Sequence, residues 1–418
     1  MFKKIILILS LQASFVLGSG FSIYEQHARA TGLAGAFIAR ADDPSAIFYN
    51  PAGLSALKGW QINIGTTMIE TEFGFIGPDN MDARYFTRAQ KGTFFPSTLY
   101  LTYNFHPRWT LGFGFYSPFG LATEWGSQKH PWVGRLLATK TELTTFALNP
   151  VVAYQVLDNL SVALGVSYLT ANVNLEKDIY FASRSIYGHS KLKAGTQGFA
   201  FNLGFQYTLF HRLHLGAHYR STTRLDFSNG DAYFTFPETT DPVVNQEIAS
   251  FFPAKTKGDA QITLPAFYGI GLAYDFTENL SFEVDYLVQA WSSYDKLKIT
   301  FQKPVAGKTE SISPRNYRDS YSVRFGLEYK MENDLTVRAG YFLDKYVVPD
   351  EYLEPGLPEY NRHNYTIGLG YQIKKLKIDA AYHLLLQDDR EFTRNIHNFA
   401  GKYIGMANLY ALSLGYSF

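Results

Sequence analysis

The side chains of this chain that could do chemistry are spaced for ion pairing, not for making or breaking bonds. Glu283 and Asp285 lie two apart, as do positions of one phase on a strand, and Arg324 with Glu328 and Arg338 with Asp344 keep the same phase. Facing an enclosed space, these charges can pair with each other and with Arg40, Asp42 and Asp43 from the N-terminal region. Two readings fit: a polar lattice that anchors an internal segment and can release it, or static packing. Unpaired buried charge is costly, so most of these groups need partners either way. There is no cysteine in 418 residues, which excludes disulfides and cysteine-based metal sites or nucleophiles. No GxSxG or HExxH pattern occurs, and no serine or carboxylate constellation stands out. The ten histidines are scattered. His214 and His218 share one side of a strand with Gly216 between them, which is no helical metal pair. The expectation is therefore no catalytic residue, no metal and no cofactor. A net charge of +1 argues against nucleic acid as a partner.

The elements that must carry these groups are strands. From Trp60 onward apolar residues recur with period two. In the last stretch Tyr410, Leu412, Leu414, Tyr416 and Phe418 alternate with Ser413, Gly415 and Ser417. Strands are expected near 60–70, 94–105, 109–117, 141–157, 159–181, 194–209, 212–227, 258–276, 279–302, 315–330, 334–346, 362–374, 375–387 and 404–418. Each connection from an even to the next odd strand is tight, and each odd-to-even connection reads as longer. That alternation, with an even count and an aromatic C-terminal residue, predicts an all-β, 14-stranded antiparallel transmembrane β-barrel. Aromatic residues make up 17%, with 30 Tyr and 34 Phe, as two interfacial girdles would require. Lys3, Lys4 and the apolar run Ile5 to Leu17, with Val16 and Gly18 as small residues before a cleavage point, read as a secretory signal over residues 1–18.

Between that leader and the strands, residues 31–57 (TGLAGAFIARADDPSAIFYNPAGLSAL) mix small residues, including Gly32 and Gly35, with helix signals. Asp43-Pro44 reads as a cap with proline at the first helical position, and Asn50-Pro51 ends that helix before a further turn from Ala52. This segment resembles the N-terminal hatch of the FadL family (FadL/TodX-like). SPFGLATEW at Ser117 to Trp125, Pro131-Trp132-Val133-Gly134-Arg135, Leu143 to Tyr154 and Leu264-Pro265 resemble the same family. A departure is the third exterior loop, Ser183 to Lys193, which is short where members often build an outer ligand groove, so the form of that groove is left open.

The resemblance implies a plug at residues 19–58 inside a barrel at 59–418. It implies passive uptake of hydrophobic molecules across the bacterial outer membrane, by hatch movement and lateral release, without a cofactor. The cargo would be long-chain fatty acid or aromatic hydrocarbon, with detergent as a surrogate, and lipid and lipopolysaccharide as surroundings of a monomer. Phe21, and with it Tyr24, would reach ligand. The lumen itself offers Lys177, His218 and Arg220 as basic candidates for a carboxylate, none of which maps onto a site of the family. Ser117-Pro118-Phe119-Gly120, followed by Leu121, should interrupt wall pairing, since proline donates no ladder hydrogen bond. The break is either an exit or the start of an exterior loop. A loop helix from Asp241 would place Val244, Ile248, Phe251 and Phe252 on one face, to catch ligand or to pack over the mouth. The alternatives to a plugged channel are a binding platform for exported proteins and a general porin.

Overall fold

The computed structural model describes residues 20–77, 86–126 and 131–418; the expected leader, residues 1–18, lies outside the described residues. Fourteen antiparallel strands close into a barrel. They are β1 (Trp60–Ile76), β2 (Ser97–His106), β3 (Trp109–Tyr116), β4 (Lys140–Leu157), β5 (Leu160–Phe181) and β6 (Ile186–Leu209). Then come β7 (Leu213–Arg220, resuming as Thr223–Thr235), β8 (Lys255–Leu264 and Phe267–Asp275), β9 (Leu280–Gln289 and Lys296–Val305) and β10 (Lys308–Pro314 and Ser320–Lys330). The last are β11 (Leu335–Asp344), β12 (Arg362–Ile373), β13 (Leu376–Gln387) and β14 (Gly401–Ser417). β14 closes on β1 from Gln61↔Ser417 to Ile76↔Lys402.

The two faces follow the period-two pattern. Tyr410, Leu412, Leu414, Tyr416 and Phe418 are exposed on the outer wall, while Ser413 is buried inside. Outward tyrosines form a ring: Tyr219 and Tyr268 lie 5.1 Å apart, Tyr341 and Tyr365 5.2 Å, Tyr382 and Tyr410 5.3 Å. Six residues further along their strands, Tyr274, Tyr371 and Tyr416 mark a second ring at the short-turn end. Ile270, Leu272, Ile367, Leu369, Leu412 and Leu414 fill the space between. At about 3.3 Å per residue the rings stand roughly 20 Å apart along a strand, the scale of a lipid-facing band between aromatic girdles. No helix among the described residues is long and apolar enough to span a membrane.

Two odd-to-even connections are short, which corrects the expectation that all would be long. β5 and β6 run 22 and 24 residues and meet at the four-residue turn 182–185. β9 and β10 meet at Ala306-Gly307, with φ of 52° and 74°, a left-handed pair that suits a two-residue hairpin. Both hairpins continue beyond the tyrosine ring because their inner faces have something to bury. Phe181, Phe234 and Phe301 pack there under a helix, α3 (Pro242–Phe251).

The lumen is filled from the N-terminal side by α1 (Ala28–Gly32), α2 (Ala46–Tyr49, numbered before α3 in the chain) and a 3-10 turn (Pro51–Ala56). The Asp43 carboxylate accepts from the Ser45 N–H at 2.9 Å, but the helix begins at Ala46 with Ser45 as its N-cap, so Asp43 closes the turn before the helix and Pro44 precedes its first position, which corrects the reading of Asp43-Pro44. Asn50 caps the 3-10 turn. Its Nδ2 donates to the Ile38 and Phe205 carbonyls at 2.7 and 2.9 Å, which ties Asn50-Pro51-Ala52 to β6. Small residues permit the fit. A Cβ on Gly32 would stand 3.0 Å from the Gly368 Cα, and Gly35 adopts φ 71° with no space for a side chain beside Arg324 and Tyr24.

Candidate functional site

Charge holds the plug. Arg29 of α1 donates to both oxygens of Glu328 on β10 at 2.9 and 3.0 Å, contacts Asp42, and lies 3.4 Å from Asp43. Glu328 also accepts from Arg338 at 2.7 Å, and Arg338 reaches Asp379 at 2.8 Å. Arg40 stands 3.5 Å from Glu283 and 3.7 Å from Glu328. Asp285 accepts from the Phe37 and Ile38 N–H groups at 2.8 and 3.0 Å, and Glu283 from Ala39 at 2.6 Å. Arg324 donates to the Ala34 carbonyl at 2.8 Å and lies 3.6 Å from Asp344. All six wall charges singled out in the sequence thus converge on one lattice. Asp42 and Asp43 depart from expectation, since both pair with Arg29 of their own segment. Arg29 and Asp379 carried no local signal; only the long-range fold makes them central.

Strand pairing in the wall is interrupted at the predicted place. β3 pairs with β2 only as far as Phe115↔Leu99. Its pairing with β4 stops at Tyr116↔Ala147 and resumes at Gly120↔Thr144, where a short strand, Gly120–Glu124, begins. N-terminal backbone fills the interval. The Ile23 N–H donates to the Pro118 carbonyl at 2.9 Å, and the Gly120 N–H donates to the Phe21 carbonyl at 3.0 Å. Ser22 bridges Phe119. Backbone left unpaired in lipid is expensive, so a filled break is the tolerable form of this interruption.

Behind the break lies a cavity of about 430 Å³, mostly apolar, lined by Phe21, Tyr24, Ser117, Phe119, Gly120 and Leu121 among others. The Phe21 ring meets Trp291 edge-on at 4.4 Å and Phe119 at 6.2 Å. Arg324, Arg362 and Glu359 supply polar lining. Burial pushes the Glu359 carboxyl above its ordinary range, against the pull of Arg362 and of the Val347 and Val348 amides.

Other expected residues lie elsewhere. Val244, Ile248 and Phe252 are packed into the satellite core under α3, and Phe251 turns outward and is exposed. The shared face expected for all four therefore holds for three, and it is already covered. Lys177 stands on the upper part of β5, away from the cavity lining. His218 and Arg220 are buried in the lumen. Arg220 donates to the Phe48 carbonyl at 3.0 Å and lies over the Phe48, Tyr116 and Phe267 rings at 4.5, 5.7 and 5.6 Å. Its Nε has no hydrogen-bond partner, and no carboxylate among the described residues lies within ion-pair distance. His214 hydrogen-bonds Asp275 at 2.9 Å, and no cluster suited to a metal ion occurs among the described residues.

A closed barrel with two aromatic rings, a salt-bridged plug and an apolar cavity at a break in its wall defines a plugged transport protein of the bacterial outer membrane. The chain belongs to the family of outer membrane transport proteins described as OMPP1/FadL/TodX, which matches it over residues 9–418. It is 25% identical over 436 residues to outer membrane protein P1 of Haemophilus influenzae, covering 90% of each chain. It is 22% identical over 373 residues to the long-chain fatty acid transport protein of Escherichia coli O6:H1, covering 82% of this chain and 81% of that one. The crystal structure of a Pseudomonas aeruginosa FadL homologue shares the fold with a TM-score of 0.82 at 20% identity, covering 96% of this chain and 100% of that one.

Proposed function

We propose that the protein is a passive channel through which hydrophobic molecules enter the 430 Å³ cavity and leave sideways into the outer leaflet. The observation that carries this reading is the seal. At the break in β3 the cavity is closed by the backbone of residues 21–23, held to Pro118 and Gly120 by single hydrogen bonds. Phe115, just below the break, and its neighbour Phe146 stack outward at 5.6 Å, which supports an exit near the outer lipid interface. Cargo that displaces Phe21 from Trp291 and Phe119 frees the strip and opens the wall. No energy source is required, because consumption of the cargo maintains the gradient.

Arg220 favours one cargo class. A buried guanidinium without an anion is unfavourable, and the Phe267 ring 5.6 Å from it stands 5.9 Å from the Phe119 ring that lines the cavity. A carboxylate on an apolar chain would satisfy it, and a plain aromatic hydrocarbon would not. Long-chain fatty acid, the cargo named for the Escherichia coli relative, is therefore favoured.

Gly120→Arg tests the exit. A Cβ at Gly120 would stand 2.6 Å from the Ile23 Cδ1, a side-chain tip that can turn aside for a small residue, whereas the long charged chain of arginine would fill the space between strip and wall. Uptake of oleic acid should fall about tenfold, the scale of one or two kcal/mol, with surface capture unchanged. Normal uptake at normal expression would remove this segment from the pathway. Steady single-channel conductance should be low; a large steady current would point to a porin instead.

A further inference from the structure

The exterior loop 345–361 and the N-terminal strip meet at one buried carboxylate. Glu359 is only 1% exposed, and its Oε2 accepts from the Gly20 N–H at 3.0 Å. Its Oε1 accepts from the Val348 N–H at 3.0 Å and from the Val347 N–H. Arg362 donates to the Gly20 carbonyl at 3.3 Å and stands 3.8 Å from the Glu359 carboxylate. The loop is the roof of the cavity, since Leu357, Pro358 and Glu359 line it. It is tied down on two sides. Arg390 donates to the Val348 and Glu359 carbonyls at 2.6 and 2.9 Å, and Trp125 Nε1 donates to the Pro355 carbonyl at 2.9 Å.

We propose that Glu359 is a positioning residue that couples the roof of the cavity to the seal in its wall, so that the two open together. If the loop lifts alone, the carboxylate goes with it, together with Val347 and Val348 of the same loop, and the Gly20 N–H loses its acceptor inside the pocket. If the strip leaves alone, the carboxylate loses Gly20 inside a closed pocket. Either partial state leaves one partner of the Gly20–Glu359 hydrogen bond buried and unpaired, which is costly. When both move, water reaches the carboxylate and the penalty disappears. The inference rests on the reading of the β3 break as an exit. Its failure is distinguishable from failure of that reading, which shows in uptake by Gly120→Arg.

The chain has no cysteine, so single thiols report cleanly. Ser22→Cys reports on the strip and Leu357→Cys on the roof, each in the full-length protein in detergent, labelled with a bulky maleimide with and without oleic acid. With Glu359 present, oleic acid should raise both labelling rates by the same factor. In Glu359→Ala the two factors should separate by about tenfold or more, the scale of a buried hydrogen bond left unmade, and in Arg362→Gln by less. Unequal factors with Glu359 present, or equal factors in Glu359→Ala, would overturn the coupling. If the alanine variant gives no heat-modifiable barrel, Glu359→Gln carries the same measurement, because it keeps the shape and loses the charge.

Discussion

Two parts of the N-terminal segment are held in the same barrel by different means. Residues 28–57 are fixed by charge: Arg29, Arg40 and the Phe37–Ala39 amides meet wall carboxylates, and nearly every side chain is buried. Residues 20–24 lie against the wall break through a few backbone hydrogen bonds, the Phe21 and Tyr24 rings and Glu359. The first arrangement resists water, since each buried charge would lose a specific partner. The second can be undone by an apolar competitor. On the proposed mechanism, a segment that stays while a passage opens beside it needs both kinds of attachment.

The largest effect should come from the charged part. Glu328→Ala leaves Arg29 and Arg338 without their shared anion, and should cost about 3–5 kcal/mol, read as a lower urea midpoint of the heat-modifiable barrel. An unchanged midpoint would erase the contrast between the two parts. Deleting residues 20–57 should leave a folded barrel whose conductance to small ions rises by about tenfold or more, as water-filled lumens conduct; unchanged conductance would mean the segment does not obstruct flow. Phe21→Ala acts only on the strip. Phe21 lines the cavity, so losing its ring removes roughly 2 kcal/mol of apolar contact with the cargo, and uptake of limiting oleic acid should drop about tenfold or more with barrel assembly intact. Arg220→Gln should have the smallest effect, a few-fold loss of fatty-acid uptake with hydrocarbon uptake unchanged; equal losses for both would remove the guanidinium from cargo selection.

Much of the barrel could be read from the sequence because its determinants are local. Alternation in Tyr410 to Phe418 and tight turns such as Leu157-Asp158-Asn159 place strands without reference to anything distant. The break at Ser117 to Gly120 could be read because Pro118 lacks a donor. What fills it could not, since nothing in Phe21-Ser22-Ile23 states that its partner lies nearly a hundred residues away. The same limit hid Arg29, a single basic residue among small ones, and Glu359, whose three amide donors come from Gly20, Val347 and Val348. The long β5–β6 hairpin was missed for another reason. Above the lipid its outer face is polar, so Ile186 to Lys193 reads as a loop until the satellite core beneath it is seen.

The plug also fixes an order of events during assembly. Arg29 and Glu328 are separated by 299 positions, and other wall groups that receive residues 28–40 include Glu283 and Asp285 on β9, Arg324 on β10, Thr366 on β12 and Ser413 on β14. Contacts so distant in sequence form slowly, because a very long loop must close first. The segment synthesised among the earliest therefore has no seat until most of the strands exist. Residues 20–57 must stay pliable until the wall that seats them is nearly whole, so the first part of the described chain is among the last to settle.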